Sequence, residues 1–343
     1  MSLINKLSQQ LQRHPKRIVF PDGTDHRVMQ AARQFATKRL GAPILIGERQ
    51  KIKETALRLD ISLTNIRLIN PVRSEELDSF AQQYFKKRKE RGVTEKEALE
   101  TVSKPNYFAS MMLANSQADG LVFGAGTPAS EALPSLFRCL PMRDNVKTAS
   151  SVLILDLENR EEFGINGSLF LSDCAVLPDP NANQLAEIAI STASMAYHLT
   201  GETPRVALLS YSTHSTSQSD PSVSKMSEAT VLAIEKAREL YFPIEIDGEV
   251  QADVALDKYA AKQKEVSSGV AGRANVLIFP NLHSSNIAAK MVTILAGGDS
   301  YGQIVTGISK PAAQVSRGSS AHDIFATAVI VGAQATDREL LLA

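Results

Sequence analysis

Val315-Ser316-Arg317-Gly318-Ser319-Ser320-Ala321-His322-Asp323-Ile324 is the stretch from which the rest of the chain can be read. Ahead of it stands an apolar run, Gln303-Ile304-Val305-Thr306-Gly307-Ile308, that suits a buried strand. Behind it, Phe325 to Ala335 is rich in Ala, Val and Ile and suits a buried helix. A strand, a polar turn and a helix start thus come in succession. The first N–H groups of a helix lack internal partners and carry the positive end of its dipole, so such a turn favours anions. Arg317 adds a two-pronged donor suited to phosphate. Gly318 permits close backbone approach, and Ser316 can donate to a developing oxyanion. Asp323 would repel a phosphate, so its chemistry here is proton abstraction. A plainer reading stands beside this one. Ser320-x-x-Asp323 is close to a capping box, and local spacing alone favours simple capping.

The same alternation extends outward through the chain. Lys16–Gly23 reads as a first strand and turn, and Asp25–Leu40 as a helix with Val28, Ala31, Ala32, Phe35 and Ala36 on one face. Ala42–Gly47 and Ile66–Ile69 read as strands, and Glu48–Leu59, Ser74–Glu90 and Asn106–Ala118 as helices. Asp119–Gly126 is a strand running into a Gly-rich turn, followed by a helix over Ala129–Leu140. Further strands fall at Ser151–Leu157, Leu169–Val176, Arg205–Tyr211, Phe242–Gly248 and Asn275–Pro280. Helices fall at Asn181–Leu199, Ser224–Leu240, Val250–Gln263 and His283–Ala296. This order predicts an α/β protein of parallel, doubly wound sheets. A chain of 343 residues is too long for one ordinary core. Two α/β lobes are expected: residues 1–150 plus 304–343, and an inserted domain over 151–303.

Composition removes several function classes. Basic and acidic residues balance at 37 each, which makes nucleic acid a poor guess. No apolar run reaches membrane-spanning length, and the amphipathic N-terminal segment has no signal core. Cys139 and Cys174 without a CxxC fit a reducing cytoplasm. The six histidines show no H-x-x-x-H and no pairing with cysteine, so no metal motif is evident. There is no G-x-S-x-G elbow, no G-x-G-x-x-G and no P-loop, hence no case for a serine hydrolase, a nicotinamide dinucleotide or ATP.

Three stretches keep two readings each. Lys86-Lys87-Arg88-Lys89-Glu90-Arg91-Gly92 is either dipole compensation at a helix C-terminus or a docking point for a phosphate-bearing ligand. The hydroxyl-rich loop Ser212–Ser222 is either a solvated loop or a set of neutral donors at a strand's carboxyl end, where open α/β sheets bind ligands. Cys174 is either a small buried residue or a catalytic thiol with no visible activating partner. What remains is the equipment of a metal-free site that binds phosphate and transfers a proton.

Over nearly its whole length the chain resembles the phosphate acetyltransferases (phosphotransacetylases) of the phosphate acetyl/butyryltransferase family. Ile18–Gly23, Asp173-Cys174-Ala175-Val176, Gln184–Ala189, Ser210-Tyr211-Ser212-Thr213, Asp247-Gly248, Val270–Ala274, Phe279-Pro280, Lys310-Pro311 and Ser316-Arg317-Gly318 carry the likeness. The resemblance implies two lobes of isocitrate/isopropylmalate dehydrogenase-like fold with the site in the cleft between them. It implies a homodimer in the cytoplasm and the reaction acetyl-CoA + phosphate ⇌ acetyl phosphate + CoA. Coenzyme A is then a substrate, and no cofactor is needed. Carried over by motif, Asp323 takes the proton from the CoA thiol, and the thiolate attacks acetyl phosphate directly. Ser316 bonds the tetrahedral oxyanion and Arg317 holds the phosphoryl group. Arg88 matches an arginine tied to CoA binding, and Ser212, Thr213, Lys310 and Asn286 are the further substrate-binding residues.

This sequence also departs from the family pattern. Leu133 stands where an arginine is usual, with Arg138 nearby. Phe279-Pro280-Asn281-Leu282-His283-Ser284-Ser285-Asn286 replaces Phe-Pro-Asp-Leu-Asn-Thr-Gly-Asn, and the loop after Thr213 is not Gly-rich. These departures motivate two alternatives: a phosphate butyryltransferase-like enzyme, and a non-catalytic acetyl-CoA-sensing module like the C-terminal domain of large malic enzymes. The intact Ser316-Arg317-Gly318 and Asp323 argue against a sensor.

Overall fold

The computed structural model describes residues 3–144, 146–157, 160–215 and 220–336. They divide into two compact units, one comprising residues up to Arg143 and again from Ile308, the other running from Asp144 to Gly307.

The first unit opens with α1 (Leu3–Arg13), amphipathic as its spacing requires, with Ile4, Leu7 and Leu11 buried. Then come β1 (Lys16–Phe20), α2 (His26–Thr37), β2 (Gly41–Ile46), α3 (Arg49–Arg58) and β3 (Arg67–Ile69). Next are α4 (Leu77–Arg88), α5 (Glu95–Val102), α6 (Pro105–Ala114), β4 (Gly120–Phe123) and α7 (Ala129–Cys139). In the second unit, β5 (Ser150–Asp156) and β6 (Ser168–Ser172) precede α8 (Ala182–Thr200), which Asn181 caps in a reciprocal box with Gln184. β7 (Arg205–Leu209), α9 (Pro221–Glu239), β8 (Glu245–Val250), α10 (Ala252–Leu256) and α11 (Lys258–Gln263) follow. β9 (Val276–Ile278), α12 (Leu282–Ala296) and β10 (Asp299–Thr306) complete it. The chain then re-enters the first unit with β11 (Ala312–Gln314) and α13 (Ala321–Thr336).

Strands of the first unit lie in the order β3-β2-β1-β4-β11, all parallel. Such strands are apolar throughout, and Ile18, Val19, Leu121 and Ala313 are fully buried. The second unit has the order β10-β5-β6-β9-β7-β8. Its β6, β9, β7 and β8 are parallel, as strand–helix alternation predicts. β5 is antiparallel to both β6 and β10, which the alternation did not predict. Among the described residues no helix separates β5 from β6, so the chain can return alongside itself.

Other expectations are also corrected. The run Gln303–Ile308 is not the strand that feeds the Ser316–Arg317 turn; it belongs mostly to β10. Gly307, at φ 80°, and Pro311, without an N–H, end that strand, and the three residues of β11 lead into the turn instead. The single helix expected over Val250–Gln263 is two short ones. The chain breaks at Asp257, whose carboxylate caps α11 through Tyr259 N–H at 2.8 Å. The strand expected over Leu169–Val176 stops at Ser172. Among the described residues no helix is long and apolar enough to cross a membrane.

Candidate active site

Parallel strands place their carboxyl-end loops together, and in the first unit these are the loops after β1, β4 and β11. Val315 N–H donates to Phe123 O at 2.7 Å, which joins the ends of β11 and β4. Gly124, at φ 102°, makes this possible: a Cβ there would lie 2.7 Å from Val315 O. The turn that follows is closed by its own groups. Ser319 N–H donates to Ser316 O at 3.0 Å, and Ser316 N–H to Ser319 Oγ at 3.1 Å. Gly318 N–H donates to Ser316 Oγ at 3.2 Å. Ser316 and Arg317 are exposed, and the Arg317 guanidinium meets no hydrogen-bond partner among the described residues.

Asp323 sits in the first turn of α13 and completes a capping box. Its Oδ2 accepts from Ser320 N–H at 2.7 Å, and its own N–H donates to Ser320 Oγ at 3.0 Å. The plainer of the two sequence readings is therefore realised, and it engages one carboxylate oxygen. Oδ1 takes no bond among the described residues and points to no competing role.

Two residues that sequence reasoning did not single out organise these loops. Asp22, just beyond β1, accepts from Gly124 N–H at 2.9 Å and Ala125 N–H at 3.1 Å with Oδ2, and from Thr127 Oγ1 at 3.2 Å with Oδ1. Burial pushes its carboxyl above the ordinary value, against the pull of those donors. Arg27, in the first turn of α2, bonds backbone carbonyls of both loops. The only sequence signal was a polar cluster, Asp22-Gly23-Thr24-Asp25-His26-Arg27, straight after an apolar strand.

Arg88 ends α4, and its Nε is buried with no hydrogen-bond partner among the described residues. A buried guanidinium nitrogen without an acceptor is costly unless something supplies one. Nearby cations are engaged: Lys87 Nζ donates to Cys139 O at 2.7 Å, and Arg138 Nη1 to Tyr107 Oη at 2.9 Å. Leu133 is buried. Lys310 is not brought to the turn. It precedes β11, at the amino end, where its Nζ donates to Ser116 Oγ at 3.1 Å.

In the second unit, Ser212 and Thr213 follow β7. Ser212 Oγ donates to Glu249 Oε1 at 3.4 Å, and Thr213 Oγ1 accepts from Gln251 N–H at 3.0 Å. His214 Nε2 lies 2.8 Å from Asp247 Oδ1. Thr216–Ser219 of this loop lie outside the described residues. Asn286, on α12, donates through Nδ2 to Cys174 O at 3.2 Å. His283 is exposed on the same helix. Asp173 is a buried carboxylate that takes the Ala175, Val176 and Leu177 N–H groups, so it orders the loop after β6. Burial pushes both the Cys139 and the Cys174 thiol up to about 12, which disfavours a thiolate nucleophile at either position.

Fold and turn together define an α/β protein with an exposed Ser316–Arg317 turn between a parallel strand and the start of a helix. The family model described as "Phosphate acetyl/butaryl transferase" matches residues 2–332. The phosphate acetyltransferase of Thermoanaerobacterium thermosaccharolyticum is 39% identical over 335 residues, covering 98% of this chain and 100% of that protein. That of Acetivibrio thermocellus is 38% identical over 335 residues, covering 98% of each. The crystal structure of a phosphotransacetylase from Streptococcus pyogenes superposes with a TM-score of 0.87 at 32% identity, over 98% of this chain and 99% of that one. The chain belongs to the phosphate acetyl/butaryl transferase family and is an acyltransferase.

Proposed function

We propose that this acyltransferase interconverts acetyl-CoA and phosphate with acetyl phosphate and CoA, by direct attack of the CoA thiolate on the acetyl carbonyl. The observation that carries the reading is the Arg317 guanidinium, without a hydrogen-bond partner among the described residues and held beside Ser316 on a turn that opens a helix bearing Asp323. Arg317 takes the phosphoryl oxygens in a forked contact. Asp323 removes the thiol proton through Oδ1, the oxygen its cap leaves open. As the carbonyl carbon becomes tetrahedral, Ser316 Oγ–H donates to the oxygen that gains charge. The C–O bond to phosphate then breaks, and the electron pair leaves with the phosphate. No step asks for a metal, a bound cofactor or a covalent enzyme intermediate.

Arg88, whose Nε lacks an acceptor, is the residue proposed for the phosphates of CoA. Ser212, Thr213 and Asn286 are proposed as substrate-binding residues of the second unit. Lys310 is given no part, because it lies at the opposite end of β11 from Ser316. The protein is proposed to act in the cytoplasm as a homodimer. One stripe of α12 supports the dimer: Ile287, Met291, Ile294 and Leu295 are 57, 54, 78 and 79% exposed, more apolar surface than one helix ordinarily shows to water. The test is thioester formation from CoA with acetyl, propionyl and butyryl phosphates, followed by absorbance. Turnover fastest with acetyl phosphate is expected. No turnover with any of the three, despite calorimetric binding of acetyl-CoA, would overturn the reading.

A further inference from the structure

We propose that Arg27 is a positioning residue for the Ser316–Arg317 turn, an inference that rests on the acyl-phosphate reading of that turn. All five N–H donors of its guanidinium have acceptors. Nε donates to Asp25 Oδ1 at 3.1 Å and Nη2 to Asp25 Oδ2 at 2.7 Å. Nη2 also donates to Ala125 O at 2.9 Å. Nη1 donates to Arg317 O at 2.6 Å and to Ser319 O at 2.9 Å. The carboxylate that clamps the fork is itself fixed, since Asp25 caps α2 through Arg27 N–H at 2.9 Å. One side chain at the start of a helix thereby grips the loops after β4 and β11 together.

Which atoms it grips decides what it does. In a planar trans peptide the C=O of one residue and the N–H of the next point in opposite directions. With Arg317 O turned toward Arg27, Gly318 N–H is turned away, and it donates to Ser316 Oγ. With Ser319 O turned toward Arg27, Ser320 N–H is turned away, and it donates to Asp323 Oδ2. Arg27 therefore sets, through two peptide planes, the hydroxyl and the carboxylate to which the reaction is assigned. It also turns two carbonyl oxygens away from the face where an anion must sit; carbonyls on that face would repel it. The task needs a planar fork with divergent donors, which a lysine ammonium does not offer.

The experiment compares Arg27→Gln and Arg27→Lys with the unaltered full chain, measuring kcat and the separate KM values for acetyl phosphate and CoA. For Arg27→Gln, kcat is expected to fall about 100-fold, the scale of a small misplacement of reacting groups. KM for acetyl phosphate should rise about tenfold, the worth of one charged hydrogen bond, while KM for CoA holds. Arg27→Lys, which keeps the charge and loses the fork, should recover only part of this. A merely structural role would lower the thermal midpoint and the active fraction and leave both KM values alone; that result, with the unaltered chain active, overturns the proposal by itself. An unaltered chain that makes no thioester overturns the parent reading and this inference with it. Should Arg27→Gln not fold, the same split read on Arg27→Lys decides.

Discussion

Gly124→Ala should damage the protein in two ways that a neighbouring control can separate. Gly124 lies at φ 102°, and a Cβ there would stand 2.7 Å from Val315 O and 3.0 Å from the Gln314 side chain. The dihedral alone costs an L-residue about 1–2 kcal/mol. The contact falls on a backbone oxygen that cannot rotate aside, and overpacking of this kind adds about 1–3 kcal/mol. Together these predict a loss of about 2–5 kcal/mol, or a midpoint lowered by roughly 5–15 °C in a domain of this size. Gly92 is the control: its φ is 82°, yet nothing lies within 4 Å of its missing Cβ. Gly92→Ala should cost only the dihedral, roughly 2–6 °C. Thermal midpoints at one protein concentration would be followed by thioester turnover well below both transitions. Because the clash pushes β11 from β4 where the Ser316–Ser320 turn begins, Gly124→Ala alone should also lose about 100-fold in turnover. Equal midpoints and equal turnover for the two variants would refute the close approach of Gly124 and Val315 as the feature that places the turn.

Three further outcomes are expected. Burial raises the Asp22 carboxyl above its ordinary value, so the ionised form costs stability that protonation restores as pH falls through that raised value; the midpoint of the unaltered chain should gain on that of Asp22→Asn as pH falls from neutrality towards the ordinary carboxylate range, and a gap that moves the other way would defeat the assignment. Asp323→Asn keeps an oxygen for Ser320 N–H and should lose about 100-fold or more in kcat, whereas Ser320→Ala should cost about 1 kcal/mol of capping and leave kcat near normal; equal losses in turnover would reduce Asp323 to a cap. Leu295→Glu with Met291→Lys should shift the sedimenting species from dimer to monomer, and an unaltered mass, or a monomeric unaltered chain, would rule out α12 as the contact.

Much of the fold was legible because it is written in periodicity. Ile18, Ile44, Leu121 and Val206, each in an apolar run, are buried in the strands expected of them, and the helix expected over Asn181–Leu199 is α8, which Asn181 caps. What was illegible depended on neighbours distant in sequence. β11 is only Ala-Ala-Gln behind a proline, without a β-branched residue, and it is a strand because Phe123 and its neighbours in β4 lie alongside. β5 pairs antiparallel where the described residues before β6 hold no helix, and strand–helix alternation does not reach such a spacing. Lys310-Pro311 matched a motif, but a motif carries no information about which end of a strand it occupies. Arg27 escaped for a deeper reason. Its acceptors are the carbonyls of Ala125, Arg317 and Ser319, and every residue type carries a carbonyl. A side chain that acts on backbone leaves no complementary residue in the sequence to find.

The two readings of Ser320-x-x-Asp323 were posed as rivals, and the geometry makes them compatible. A carboxylate offers two oxygens, and the box consumes only Oδ2. A free aspartate at an exposed turn would sample several rotamers, and each would have to be abandoned before a thiol proton could be taken. Tying Oδ2 to Ser320 N–H removes that freedom and leaves Oδ1 with a fixed direction. The N–H that does the tying is itself aimed by the Ser319 carbonyl on Arg27. Capping on this view is how a carboxylate is aimed, and the order of dependence runs from Asp25 through Arg27 and the peptide plane to Asp323. Loss of the proposed base at the end of that chain should lower turnover about 100-fold or more while sparing the fold, and loss of its first link should do some of each.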